Sequence, residues 1–252
     1  MTPFLAEHGW LKIRSIFSKD EVLGLREAFE AVVAGHEEEL WADKVYQWPG
    51  ARSLHPAFAE QIGHKRLWAV VCEALGVSQL QLLQDVLLYR PPLCCASVEW
   101  HQDHSYTSYI NPPDVVSVRV ALTKSTVKTG CLHVIDGSHR WASKPRARIG
   151  ARTMAQDAFQ DVPASMLKSA EKATRAVWLA PGDVSVHLAK TFHASFENTQ
   201  NESQMILVNH VFSSQCRLDP TRLPGDASIK RFPTTPEGHL DPKSFPLLGS
   251  RA

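Results

Sequence analysis

The chain has 252 residues, with 27 Lys and Arg against 26 Asp and Glu for a formal charge of +1. Apolar residues make up 44% and charged residues 21%, ordinary globular usage, and this length buries a core without disulfides or a structural metal. The charge argues against a nucleic-acid or membrane-surface binder, and no apolar run approaches the ~20 residues of a membrane span.

Residues 1–79 read as mostly helical. Ser18 and Glu21 have capping-box spacing, and Val22, Leu25, Phe29, Val32 and Val33 follow at helical intervals. A second amphipathic helix is predicted from His64 to Leu75, with Leu67, Val70, Val71 and Ala74 on one side and Gly76 at its end. Both are expected to pack against a sheet.

From residue 80 the pattern changes. Leu80–Arg90, Val115–Leu122, Cys131–Ile135, Val184–Leu188 and Met205–Phe212 are short runs rich in Val, Ile and Leu. Pro91-Pro92, Pro112-Pro113, Gly130, Asp136-Gly137 and Pro181-Gly182-Asp183 separate them. Such strands predict an antiparallel sandwich or jelly roll with an N-terminal helical layer. Residues 141–175, basic and helix-permissive (Lys144, Arg146, Arg148, Arg152), read as an insertion beside the site, and the proline-rich residues 214–252 as an irregular tail. The expected organisation of 1–252 is one domain: 1–79 helical, 80–213 the jelly-roll core with its insertion, 214–252 the tail.

The sharpest local feature is Trp100-His101-Gln102-Asp103. If residues 99–103 are extended, His101 and Asp103 point to one face as two ligands of a metal. An H-x-D alone is equally a polar pair at a strand end. About ninety residues downstream, the turn at Pro181-Gly182-Asp183 leads to His187 and then His193. A jelly roll brings a late strand beside an early one, so either histidine could close the triangle. Two His and one carboxylate on one face of a metal leave the opposite positions open, the arrangement of non-heme Fe(II) oxygenases. Zinc prefers a tetrahedral shell.

From residue 4 to about 213 the chain resembles the phytanoyl-CoA dioxygenase family of Fe(II)/2-oxoglutarate oxygenases. The landmarks are Glu7-His8-Gly9-Trp10, Trp100-His101-Gln102-Asp103, Gly130-Cys131-Leu132 leading to Gly137-Ser138-His139, Pro181-Gly182-Asp183, and His193-Ala194-Ser195 followed by Asn198. The resemblance implies a mainly β fold with α, a double-stranded β-helix (jelly-roll) core with N-terminal helices packed on one sheet. It implies Fe(II), 2-oxoglutarate as cosubstrate and O2. By position it makes His101, Asp103 and His193 the iron ligands, with His187 at a non-ligating place. Halogenating relatives replace the carboxylate with a small residue, so Asp103 points to hydroxylation or a related oxidation. The expected substrate is a small organic molecule, a biosynthetic or natural-product intermediate.

One position departs from the family. Its arginine, about eleven residues after the distal histidine, pairs with the far carboxylate of 2-oxoglutarate; here Gln204 stands there. An amide lacks the charge and the bidentate fork of arginine, a loss on the order of 2–3 kcal/mol. Arg119, between Val118 and Val120 on an inward strand position, is expected to reach that carboxylate instead, with help from Ser195 and Gln204, and Gln102 is placed with them. The competing expectation is that Arg119 faces solvent or pairs with an acid. His104, Tyr106 and Trp141 are candidates for the substrate side, and Trp48, Trp100 and Trp141 for core or rim packing. Two rival functions stay open: a same-fold metal-dependent oxygenase or isomerase that does not use 2-oxoglutarate, and a non-catalytic metal- or ligand-binding protein. Five cysteines without C-x-x-C spacing and an opening MTPFLAEHGW without a secretory pattern suggest a cytoplasmic protein, monomeric or homodimeric, with a small-molecule substrate and no nucleic-acid or membrane partner.

Overall fold

The computed structural model describes residues 1–41, 43–112, 114–141, 164–223 and 231–250. In chain order it forms α1 (Pro3–His8), β1 (Trp10–Ile13), α2 (Lys19–Ala34), β2 (Tyr46–Pro49), α3 (Ala51–Leu54), α4 (Pro56–Ile62), α5 (Lys65–Leu75) and β3 (Gln79–Arg90). There follow β4 (Val98–His101), α6 (His104–Thr107), β5 (Ile110–Asn111), β6 (Val116–Ala121), β7 (Leu132–Ile135) and α7 (Ala164–Ala173). The last elements are β8 (Thr174–Val177), β9 (Val184–Leu188), β10 (His193–Ser195), β11 (Gln204–Ser213), β12 (Arg217–Leu218) and β13 (Leu247–Ser250). The end signals act as predicted. Ser18 and Glu21 close a reciprocal capping box on α2, and Gly76 ends α5 in the left-handed region at φ 70°.

Seven strands form an antiparallel sheet in the order β1-β9-β6-β11-β3-β13, with β2 also paired to β3. A second sheet runs β4-β10-β7-β8. Strand alternation divides the larger sheet into two faces. Val116, Val118 and Val120 of β6, Val184 and Val186 of β9, and Leu207 and Val211 of β11 pack with Phe29, Phe58 and Trp68 from the helices. Burial of each large apolar side chain there contributes roughly 1.5–3 kcal/mol. On the other face Ala121, Ile206 and Val208 meet Val86 and Leu88 of β3, and Leu132, Val134 and Val177 of the second sheet. A bulge keeps β3 in phase with this division. Gln84 pairs with His210 but Leu82 with Val211, so Leu83 is extra and Leu82 joins Leu87 on the helix side. This is the double-stranded β-helix with helices layered on one sheet that the resemblance implies.

Three boundaries differ from expectation. The first 79 residues also contribute β1 and β2 to the larger sheet, and the tail contributes β13, which pairs with Gln79–Gln81. These strands are too short to show a period; pairing with a longer neighbour makes them strands. The presumed insertion ends inside structure, because α7 is followed by β8, an outer strand of the second sheet. Lys144, Arg146, Arg148 and Arg152, and the turn residue Pro113, lie outside the described residues. No helix among the described residues is long and apolar enough to cross a membrane.

Candidate metal centre

The site forms where β4 stops. His101 is the last residue of β4 and is the Cα partner of His193, the first residue of β10. Asp103, expected to extend the strand, instead opens α6 in right-handed helical conformation (φ −59°, ψ −27°). The amides of Tyr106 and Thr107 and the Thr107 hydroxyl all donate to its carbonyl, which favours the turn over a continued strand. A tight turn, rather than strand alternation, therefore aims the carboxylate at the two imidazoles. Asp103 Oδ1 stands 3.6 Å from His101 Nε2 and 3.4 Å from His193 Nε2. One donor atom from each of the three lies within 4.8 Å of the others, and among the described residues no other His/Cys/Asp/Glu cluster does this.

Backbone contacts set the histidine tautomers. His101 Nδ1 is 2.7 Å from the Glu99 carbonyl and His193 Nδ1 is 2.9 Å from the Thr191 carbonyl. A carbonyl only accepts, so each Nδ1 carries the proton and each Nε2 turns a lone pair toward Asp103. Three electron-rich atoms facing one another are stable with a cation among them. Two imidazoles and one carboxylate fit a divalent metal that keeps open coordination positions. Burial, and then His101, lowers the pKa of His193 and keeps it neutral.

More residues grip Asp103 than the sequence reveals. The Tyr106 hydroxyl donates to Oδ1 and the Ser117 hydroxyl to Oδ2. Ser117 Oγ is also 3.0 Å from His210 Nδ1. His187, the rival for the third ligand, faces Oδ2 at 3.4 Å and lies outside the three-atom cluster. Neither of its ring nitrogens has a hydrogen bond among the described residues, and burial lowers its pKa to about 3. Ser117 carries one faint sequence signal, a polar residue alternating with Val116, Val118 and Val120; His210, beside Asn209, carries none.

The cavity beside the cluster is lined by Arg119, Ser195 and Tyr106, with Ser117, His187 and His210. Arg119 is 8% exposed and has no hydrogen-bond or ion-pair partner among the described residues. Burial lowers its pKa to about 10, so it stays charged at neutral pH. Neither expected alternative for it, solvent or an acid partner, is what the structure shows. Gln204 is fully buried, donates to Ser125 Oγ at 2.9 Å and does not line the cavity. Gln102 donates to the Lys190 carbonyl, away from it. Of the substrate-side candidates only Tyr106 reaches the cavity. His104 is buried outside it and Trp141 packs on Phe192 at 5.9 Å between ring centroids. Trp48 and Trp100 pack elsewhere, against Tyr46 and Phe196.

Several of the quoted landmarks prove to be staples. Asp136 receives the Trp10 indole N–H at 2.8 Å and contacts His8, tying the opening motif to the turn after β7. Asp183 accepts from the Ser15 and Ala180 amides and pairs with Lys12 at 2.8 Å. These staples hold β1 to β9 and to the turn after β7.

The profile of the phytanoyl-CoA dioxygenase (PhyH) family matches residues 5–206. The chain belongs to this family. A phytanoyl-CoA dioxygenase of Arabidopsis thaliana is 26% identical over 253 residues, covering 84% of this chain and 87% of the relative. A phytanoyl-CoA dioxygenase domain-containing protein 1 homolog of Caenorhabditis briggsae is 24% identical over 66% of this chain, which spans 58% of that relative's length. Among solved structures, the non-heme α-ketoglutarate-dependent carbocyclase SnoK from nogalamycin biosynthesis superposes with a TM-score of 0.75. It is 23% identical, with 97% of this chain and 94% of that one covered, and it confirms the fold. As a family member the chain is an Fe(II)/2-oxoglutarate-dependent, dioxygenase-like enzyme, with O2 as the usual oxidant.

Proposed function

We propose that the enzyme oxidises, by hydroxylation, a C–H bond of a small biosynthetic or natural-product molecule, with His101, Asp103 and His193 as the iron ligands. The observation that carries this reading is the convergence of two Nε2 lone pairs on the Asp103 carboxylate, with both Nδ1 protons committed to backbone carbonyls. When bound, Fe(II) and 2-oxoglutarate supply the decarboxylation of the cosubstrate to succinate and CO2, coupled to oxidation of the substrate by O2.

The chain's own groups do the rest. Ser117 and Tyr106 each donate to one Asp103 oxygen and fix the carboxylate's orientation. Arg119, charged and unpartnered in the cavity, meets the far carboxylate of 2-oxoglutarate together with the Ser195 hydroxyl. Gln204 and Gln102 do not line the cavity and are given no part in this contact; they are held by Ser125 and the Lys190 carbonyl. Val86, Leu88, Leu132 and Val208 give the cavity an apolar wall that limits water beside the reacting centre. A natural-product substrate is favoured by the likeness to SnoK, which works in nogalamycin biosynthesis.

Asp103→Ala tests the assignment. It is expected to weaken Mn(II) binding by calorimetry at least about hundredfold, beyond the range of an outer-shell change. It should also abolish succinate formation from 2-oxoglutarate with Fe(II) and O2. Wild-type metal affinity in this variant would overturn the ligand set.

A further inference from the structure

A polar row crosses the large sheet beside the metal centre. Ser117 of β6 is the Cα partner of both His187 of β9 and His210 of β11, and His210 is in turn the partner of Gln84 of β3. The row runs from the interior to the surface. The His187 side chain is 1% exposed and that of His210 12%, while Gln84 is open to solvent. His187, Ser117 and His210 all line the cavity, and of the three His210 is the one nearest solvent.

The hydrogen bonds of this row can point only one way. A carboxylate that holds a metal accepts and does not donate, so the Ser117 hydroxyl spends its one hydrogen on Asp103 Oδ2. Ser117 Oγ then offers only lone pairs to His210 Nδ1, 3.0 Å away, so Nδ1 carries the ring proton and donates. At about pH 8, above the ordinary imidazole pKa of ~6.5, the ring is neutral and Nε2 keeps a lone pair. Among the described residues no group donates to that nitrogen. A donor placed on it completes a chain in which every hydrogen points toward Asp103, and each bond polarises the next in the same sense. A carbonyl or ether oxygen there would set lone pair against lone pair.

We infer that His210 Nε2 is a substrate-recognition point that takes a hydroxyl group, so that the substrate is an alcohol and the enzyme discriminates against the matching ketone or ether. This rests on the reading that Asp103 is an iron ligand and that the cavity receives the substrate. Asp103 sets the direction of the chain, Ser117 transmits it, and His210 presents it to the cavity as a demand for a donor. His210 is thus a specificity-determining residue: it touches the substrate hydroxyl, and Ser117 acts through it by fixing which ring nitrogen holds the proton.

The test uses the Mn(II)-loaded full chain with 2-oxoglutarate, under nitrogen, and two probes of similar size: cyclohexanol, which donates, and cyclohexanone, which only accepts. Mn(II) broadens the proton signals of a small molecule that enters the cavity, so titrations followed by NMR line width give both affinities. The wild type is expected to prefer cyclohexanol. His210→Phe should lower that preference about fivefold, the net worth of one hydrogen bond, and leave cyclohexanone affinity unchanged. Ser117→Ala, at saturating Mn(II), releases the Nδ1 proton to either ring nitrogen and should lower the preference as far. Nitrogen-15 spectra of the Zn(II)-loaded chain at about pH 8, with the His210 signals assigned by their loss in His210→Phe, should show Nε2 without a proton. An unmoved preference in His210→Phe, equal weakening toward both probes, no binding of cyclohexanol, or a protonated Nε2 overturns the proposal. If circular dichroism shows His210→Phe unfolded, Ser117→Ala decides, because an unmoved preference there overturns the proposal and a fivefold loss supports it. Metal affinity judges the ligand set separately. Wild-type Mn(II) affinity in Asp103→Ala removes the reading beneath this one, whereas full Mn(II) loading with an unmoved preference in His210→Phe removes this proposal alone.

Discussion

The two faces of β6, β9 and β11 share a backbone and follow opposite rules. Toward the helices the residues are Val116, Val118, Val120, Val184, Val186, Leu207 and Val211, near-interchangeable apolar groups in one continuous core. Toward the second sheet the same strands carry Ser117, Arg119, His187 and His210, each with its own contact or its own lack of one. Stability is encoded redundantly on the first face. On the second, chemistry is encoded once per residue, so a substitution there should change binding more than folding.

The largest expected effect is on the helix side. Phe29→Ala should cost about 3–5 kcal/mol in urea denaturation. The folded fraction should keep its Mn(II) affinity, and a parallel fall in that affinity would show that the faces are not separable. Next comes the pH dependence carried by His187. Its folded pKa lies near 3, below the ordinary ~6.5. As pH falls below about 6.5 the unfolded chain takes up a proton that the folded metal-free protein refuses, so stability drops. Between pH 6.5 and 5 that loss is about 2 kcal/mol, and it should be missing in His187→Phe when the two are compared by urea melts. The smallest is Ser117→Ala, which removes the hydroxyl from Asp103 Oδ2. It should weaken Mn(II) roughly tenfold, read by calorimetry, and leave the melting temperature near wild type.

What the sequence discloses divides along the same faces. The helix-side pattern repeats, so α2, α5 and the long strands are legible from Val and Leu spacing alone. His101, Asp103 and His193 are legible through motif order, although the geometry that unites His101 and Asp103 is a helical turn and not the extended strand expected. Arg90 is invisible because it closes an apolar run before Pro91-Pro92 and looks like a strand end. Only its hydrogen bond to Ser195, 105 residues later, ties it to the cavity, and that contact is a long-range property. Ser117 and His210 are hidden for the same reason. β1, β2 and β13 escape because three or four paired residues show no period.

β3 also has a bearing on how the chain survives its own synthesis. One side is zipped to β11; the other is covered by β2 at Val86–Tyr89 and by β13 at Gln79–Gln81. Between them the Leu82 amide donates to the Pro246 carbonyl at 2.9 Å, the Asp85 carbonyl accepts from Gly50, and Arg52 holds the Asp85 carboxylate. The longest strand therefore offers a neighbouring molecule little open edge to template on. Half of that cover is synthesised after every other strand of the sheet. Until residues 246–250 emerge, a nascent chain displays an apolar strand with an unguarded rim, and this is the interval in which aggregation competes with folding.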